Sequence, residues 1–141
     1  MVGENISIFR GKNDPLTSQI LTSAEDSRTA GIAYHLIPAP VWGEYKGRDL
    51  YEPEAYGEDG FIHLTLGTDP LLAVANLFYT GDAREFKVLV LDINRIQSPI
   101  KFEDPEEIYP HIYGLLNTDS VIGELSVERT EDGSFVQIGA E

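Results

Sequence analysis

The chain has 141 residues, 42% of them hydrophobic, with no cysteine and three histidines. That fits one compact domain, and the missing thiols exclude disulfides, cysteine-based zinc sites and thiol nucleophiles. Ten Lys and Arg against twenty-four Asp and Glu give a formal charge of -14, a field that opposes bulk nucleic acid and anionic membranes as partners. A small anionic ligand stays open, because backbone amides and one Arg can override the mean field locally.

Residues 1–30 mix Ser, Thr, Asn and Asp with isolated Ile and Leu and show no sustained periodicity. They read as an N-terminal tail, with an edge strand at 6–9 and a helical turn at 18–22 as the local structure they offer. A single domain is expected over 31–141. It opens with a β-branched and aromatic strand at 32–37, closed by Pro38. Pro40 suits the first turn of a short helix over 41–45 that ends near Gly47. Residues 48–60 form a long acidic connection of the kind that is usually functional or mobile. Its Tyr51 and Tyr56 read as loop anchors or as a lid.

A strand follows at 61–66. Thr68-Asp69-Pro70 then starts a helix that places Leu71, Val74, Ala75 and Phe78 on one apolar face, with Gly81 as its stop. Residues 86–93 are nearly continuous apolar sequence, as in a strand buried on both faces. Short strands are expected at 100–102, 112–116 and 122–129, and Asp132-Gly133 turns the last into a strand at 135–138. The result is an α+β fold: six or seven mostly antiparallel strands, two or three short helices, and none of the βαβ rhythm of a doubly wound sheet. No apolar run nears the ~20 residues of a membrane span and no signal-peptide pattern opens the chain. The expected location is therefore cytoplasmic.

All three histidines fall in apolar, aromatic-flanked motifs: Tyr34-His35-Leu36-Ile37-Pro38, Gly60-Phe61-Ile62-His63-Leu64-Thr65 and Pro110-His111-Ile112-Tyr113-Gly114. Strand alternation puts Phe61, His63 and Thr65 on one face and Ile62 and Leu64 on the other. A few polar groups in an apolar wall are how ligand pockets are built, although a hydrogen-bonded core histidine looks the same in sequence. His111 and Tyr113 share a face, and Gly114 allows close approach of a ligand. Trp42, the lone tryptophan, either stacks on a ligand or seals the core. Glycine-rich nucleotide loops, a His-Glu-x-x-His helix and a Gly-x-Ser-x-Gly elbow are all absent.

Four of these pieces, in order, resemble the bacterial domain-of-unknown-function family 952. They are Tyr34-His35, Gly60-Phe61-Ile62-His63-Leu64-Thr65, Ala75-Asn76-Leu77-Phe78-Tyr79 and His111-Ile112-Tyr113-Gly114, and the resemblance runs from about residue 33 to 127. The chain departs at Thr65, where Ser is more usual, and at Leu115, where Pro often follows Tyr-Gly.

That family is similar in fold to the ADP-ribosyltransferases, including NAD-consuming RNA 2′-phosphotransferases. The resemblance implies a small split β-sheet of ADP-ribosyltransferase-like type with NAD as cofactor. It puts His35 on a ribose and His63 against the nicotinamide end. His63 and His111 are the expected catalytic residues; His35, Tyr34, Thr65, Trp42, Tyr51 and Tyr113 are expected to hold the ligand. A late catalytic glutamate has no clear counterpart; Glu124 is a second candidate after His111 for that place. Whether the protein is an enzyme stays open. A three-histidine metal site, a non-catalytic module for a nucleotide or other metabolite, and a purely structural role for the histidines remain as alternatives.

Overall fold

The structure, a computed structural model, describes residues 20–140. A four-stranded sheet runs in the order β1-β4-β8-β9, built from β1 (Ile32–Pro38), β4 (Phe86–Asp92), β8 (Val121–Arg129) and β9 (Phe135–Ala140). Two smaller sheets flank it. One pairs β2 (Leu50–Tyr51) with β7 (Leu116–Asn117), and the other runs β3-β6-β5 from Ile62–His63, His111–Ile112 and Ile100–Lys101. Every strand pair is antiparallel. A bridge between Tyr34 and Thr65 joins the open edge of β1 to the chain just beyond β3. The antiparallel α+β reading therefore holds.

β4 is one of the two inner strands, and its apolar run follows from that position, with both faces covered. His35 lies opposite Leu89, and Ala33 opposite Leu91. These residues, apart from His35 itself, join a core with Ile37, Trp42, Ile62, Leu64, Ile112 and Leu116, under α2 (Ala39–Tyr45) and the small sheets. The opposite parity, Ile32, Tyr34, Val88 and Val90, packs with Leu71, Leu125 and Ile138 beneath α4 (Thr68–Phe78). Period-two alternation thus decides which core each residue of β1 enters.

Four helices occur among the described residues, against the two or three expected. α3 (Tyr56–Asp59) and β2 both lie within the acidic connection, which is therefore organised rather than a loose lid. α1 (Ala24–Ala30) falls in the expected tail. Ser23 caps it by accepting from the Asp26 amide, and Gly31 ends it in the left-handed conformation.

The described part of that segment is tied down, which corrects a tail boundary at residue 30. Leu21 and Thr22 carbonyls accept the Thr68 and Asp69 amides at the exposed start of α4. The Tyr34 hydroxyl accepts from the Leu21 amide at 3.1 Å. Gly67 permits this junction: φ is 87°, and a Cβ there would lie 2.7 Å from backbone atoms of Ser23 and Ala24. Residues 20–22 are not helical, and the expected strand at 6–9 lies outside the described residues.

Two further expectations change. The strand expected at 112–116 divides into β6 and β7 around Gly114, whose φ is 143°. A Cβ at Gly114 would meet the Ser98 hydroxyl at 2.5 Å, so the close approach is by a neighbouring loop rather than by a ligand. Phe78 is 69% exposed, because α4 meets the sheet through Leu71 and Ala75 and Phe78 is its last residue.

The side chain of Asn76 replaces a strand partner for the edge of β9. Its Nδ2 donates to the Phe135 carbonyl at 2.8 Å, and its Oδ1 accepts the Phe135 amide at 2.8 Å. Asn76→Ala removes both bonds and should lower unfolding free energy by about 2 kcal/mol. Urea melts with amide exchange at Phe135 would check this; unchanged protection at that amide would dismiss the clamp.

Candidate functional site

A cleft opens where β1 faces β3, beside β2, α3 and the loop that follows α4. It encloses about 130 Å3, and His35, Tyr51, Glu54, Asp59, His63 and Thr65 are among its lining residues. Ligand pockets for drug-sized molecules run to roughly 300–1,000 Å3, so this one suits a compact ligand or one end of a larger one.

His35 sits at its base, 6% exposed. Its Nδ1 is 2.8 Å from the His63 carbonyl and its Nε2 is 2.9 Å from the Tyr51 hydroxyl. Burial pushes its pKa down to about 4, against the opposing pull of the His63 carbonyl and with a smaller push from the His63 ring. The ring is therefore neutral near pH 7, and the geometry fixes its tautomer. A carbonyl can only accept, so Nδ1 carries the proton and Nε2 is bare. Tyr51 must then donate its hydroxyl hydrogen to Nε2, leaving the phenol oxygen as an acceptor. Burial and the nearby Glu54 charge raise the Tyr51 pKa, which keeps the phenol protonated.

His63 stands at the more open side, with Nε2 3.0 Å from Asp59 Oδ2. Asp59 ends α3, Gly60 turns the chain in the left-handed conformation, and β3 delivers His63 four residues on. Phe61 packs edge-on to the imidazole with ring centres 4.8 Å apart. A histidine oriented by a carboxylate, with its second nitrogen unclaimed, is the arrangement of a general base.

Arg84 closes one rim. Its guanidinium forks onto Glu54 at 3.0 and 3.1 Å and also reaches Asp82 at 2.7 Å. The hydrogen bonds from Arg84 hold the Asp82 carboxyl below its usual range.

Of the expected residues, the cleft gathers His35, His63, Thr65 and Tyr51. His111 is directly opposite His63 on β6, with the rings 5.3 Å apart. It stacks on Phe61 at 3.9 Å and reaches Glu103 at 3.3 Å, outside the cleft wall. Tyr113 lies out there as well; its hydroxyl donates to Glu103.

Two expectations are corrected. Tyr34 points into the opposite core, since it alternates with His35 along β1. Trp42 is buried, and its indole donates to Glu124 at 2.9 Å, so it seals the core instead of stacking on a ligand. Glu124 in turn is bound by Lys46 at 2.8 Å and Lys87 at 3.4 Å, away from the cleft. Three imidazoles do not converge on one metal, because both His35 nitrogens are taken by His63 and Tyr51. Among the described residues no cluster of three His, Asp or Glu is arranged to hold an ion.

Asp59, Glu54 and Arg84 are the site residues that sequence reasoning missed. Asp59 precedes a histidine by four residues, but the short helix and Gly60 turn that make them meet leave no periodic trace.

A larger depression of about 390 Å3 beside the β8–β9 turn is lined by Arg129. That guanidinium stacks 4.2 Å from the Phe135 ring centre and donates to the Arg84 carbonyl at 2.8 Å and the Gly133 carbonyl at 3.1 Å. Its donors hold the hairpin in place.

An α+β frame with a largely apolar cleft, carrying a few placed polar groups, at the split between its sheets is the class of protein these observations define. The chain belongs to the family described as protein of unknown function (DUF952), which matches residues 36–124. Its fold is similar to that of CC0527 from Caulobacter crescentus. The crystal structure of that protein gives a TM-score of 0.63 at 22% identity, covering 74% of this chain and 93% of that one. Its solution NMR structure gives 0.58 at 24% identity, covering 73% and 90%. No curated protein matches the chain. No helix among the described residues is long and apolar enough to cross a membrane.

The buried, neutral His35 makes stability depend on pH. Its folded pKa of about 4 lies below the unfolded value of 6.5, so between these the unfolded chain binds the extra proton. The stabilisation is complete above pH 6.5 and is lost as pH falls through about 4, amounting to up to ~3 kcal/mol. Urea unfolding of the wild type from pH 7 to 4.5 should show this slope, and His35→Gln should flatten it. An unchanged slope in the variant would place the linkage elsewhere.

Proposed function

We propose that the cleft receives the nicotinamide–ribose end of NAD or a similar nucleoside-like group, and that the protein is an enzyme of ADP-ribosyltransferase-like type. The observation that carries this reading is the convergence of two oriented pairs, His35–Tyr51 and His63–Asp59, on one cleft. The histidine motifs resemble family 952, and the similarity in fold of that family to the ADP-ribosyltransferases supports the reading. The volume suits one end of a dinucleotide, and the carboxylates around the cleft leave the diphosphate outside it.

NAD would supply an activated bond between sugar and nicotinamide whose cleavage leaves positive charge on the sugar carbon. Asp59 and Glu54 provide the negative field that such charge requires, which answers the absence of a recognisable late glutamate in the sequence. His63, held by Asp59, takes the proton of the incoming water or hydroxyl as the new bond to the sugar forms. Tyr51 accepts a hydrogen bond from a sugar hydroxyl, its own hydrogen being committed to His35. His111 braces Phe61 against His63 and acts as a positioning residue.

A non-catalytic metabolite-binding module is the second reading. It is favoured by one observation, that the cleft's charged groups are already paired with one another (Arg84 with Glu54 and Asp82, His63 with Asp59), as in a preorganised receptor.

Titrating NAD while following the His35 and His63 ring signals by NMR, together with a nicotinamide-release assay, separates the two. Turnover that falls about 100-fold or more in His63→Ala, with a smaller change in affinity, supports the enzyme. Saturating shifts without release support the binding module. Rings unmoved at millimolar NAD would remove NAD from both.

A further inference from the structure

Thr65 is 4% exposed and lines the cleft. Both its backbone groups are committed to Tyr34. Its hydroxyl has no hydrogen-bond partner among the described residues. A buried hydroxyl without a partner is uncommon and destabilising, and one in the wall of a cleft is met by whatever fills that cleft.

The surroundings of Thr65 specify what that is. Glu54, Asp59 and Asp82 line the same cleft, against the one guanidinium of Arg84. Tyr51, Tyr56, Phe61 and Tyr79 supply aromatic surface, whose ring faces attract organic cations. The field reaches Tyr79: burial raises its pKa, and the Asp59 and Asp82 charges raise it further. The Tyr51 oxygen, its hydrogen given to His35, adds another acceptor. Negative charge, aromatic walls and an excess of acceptors all disfavour an anion and favour a cation that also carries hydrogen-bond donors.

We infer that the cleft is selective for a compact organic cation, an ammonium or ring-nitrogen cation bearing a hydroxyl or amide that pairs with Thr65. The inference rests on the reading above only in placing the ligand in the same cleft; it does not require NAD. It does explain how the cationic nicotinamide end would be chosen over the diphosphate.

The test compares choline with 3,3-dimethylbutan-1-ol, which share shape and hydroxyl and differ in charge, and 1-methylnicotinamide with neutral nicotinamide. Binding is read by calorimetry and by the His63 ring signal at low ionic strength. At least one cation should bind about tenfold or more tighter than its neutral partner, and added salt should narrow the gap. Glu54→Gln should weaken the cation several-fold and leave the neutral partner unchanged. Thr65→Val should weaken both members of the bound pair several-fold while the protein melts at the same or a higher temperature, since an unpaired hydroxyl has gone.

Equal affinity within both pairs, or no binding of either cation at millimolar concentration, overturns the inference. A lower melting temperature in Thr65→Val with unchanged affinity overturns the role of Thr65. Cation preference without NAD turnover would sink the enzyme reading and leave this one standing. Turnover without cation preference would do the reverse.

Discussion

One imidazole ties the three sheets together. His35 belongs to β1 of the four-stranded sheet, its Nδ1 donates to the backbone of β3, and its Nε2 accepts from Tyr51 on β2. The two small sheets are built from two-residue strands, two in one and three in the other, and pieces this short need packing against the rest of the fold to persist. They gain their place by packing Ile62, Ile112 and Leu116 onto the β1–β4 face and by these bonds at its rim. A charged ring would supply two donors and reverse the bond to Tyr51, so the burial that keeps His35 neutral also sets the direction of that bond. The cleft is the space left beside that junction, which is why its shape and its hydrogen-bond polarity have a common origin.

The motifs that carry the resemblance divide into residues that hold the fold and residues that line the cleft. Asn76 holds the edge of β9 by standing in for a strand, and Tyr34 bonds the segment before α1. Both are polar residues, and both serve the fold. His63 and Thr65 belong instead to the cleft, reached through the same alternation that buries Ile62 and Leu64. The matched span, residues 36–124, leaves out α1, β9 and the part of β1 that carries Tyr34 and His35.

Sequence patterns disclosed what depends on period and apolar content. The inner strand β4, the Phe61-His63-Thr65 face, α4 and the β8–β9 turn were legible because each repeats or interrupts a local rule. Contacts between distant segments were not. Nothing in residues 20–30 announces that their carbonyls receive the first amides of α4, nor that Gly67 leaves room for them. Sequence left Trp42 two roles, sealing a core or stacking on a ligand, and its indole bond to Glu124 across 82 positions decides between them. Asp59 was hidden among the many acidic residues of its connection, and only the turn at Gly60 distinguishes it from its neighbours.

The acidic composition and the cleft bear on each other without being the same fact. A net charge of -14 sets a diffuse field that salt screens within about 10 Å, too coarse to select a ligand. Selection comes from groups at contact distance, and there two independent sources agree. The connection between β2 and β3 contributes Glu54 and Asp59, while the backbone carbonyl of His63, acting through His35, leaves the Tyr51 oxygen as an acceptor. The first is a matter of side-chain charge and the second of main-chain geometry, so neither could be altered to reverse the other. A ligand rich in acceptors or in negative charge would face repulsion from both, whereas a donor-bearing cation would satisfy both at once.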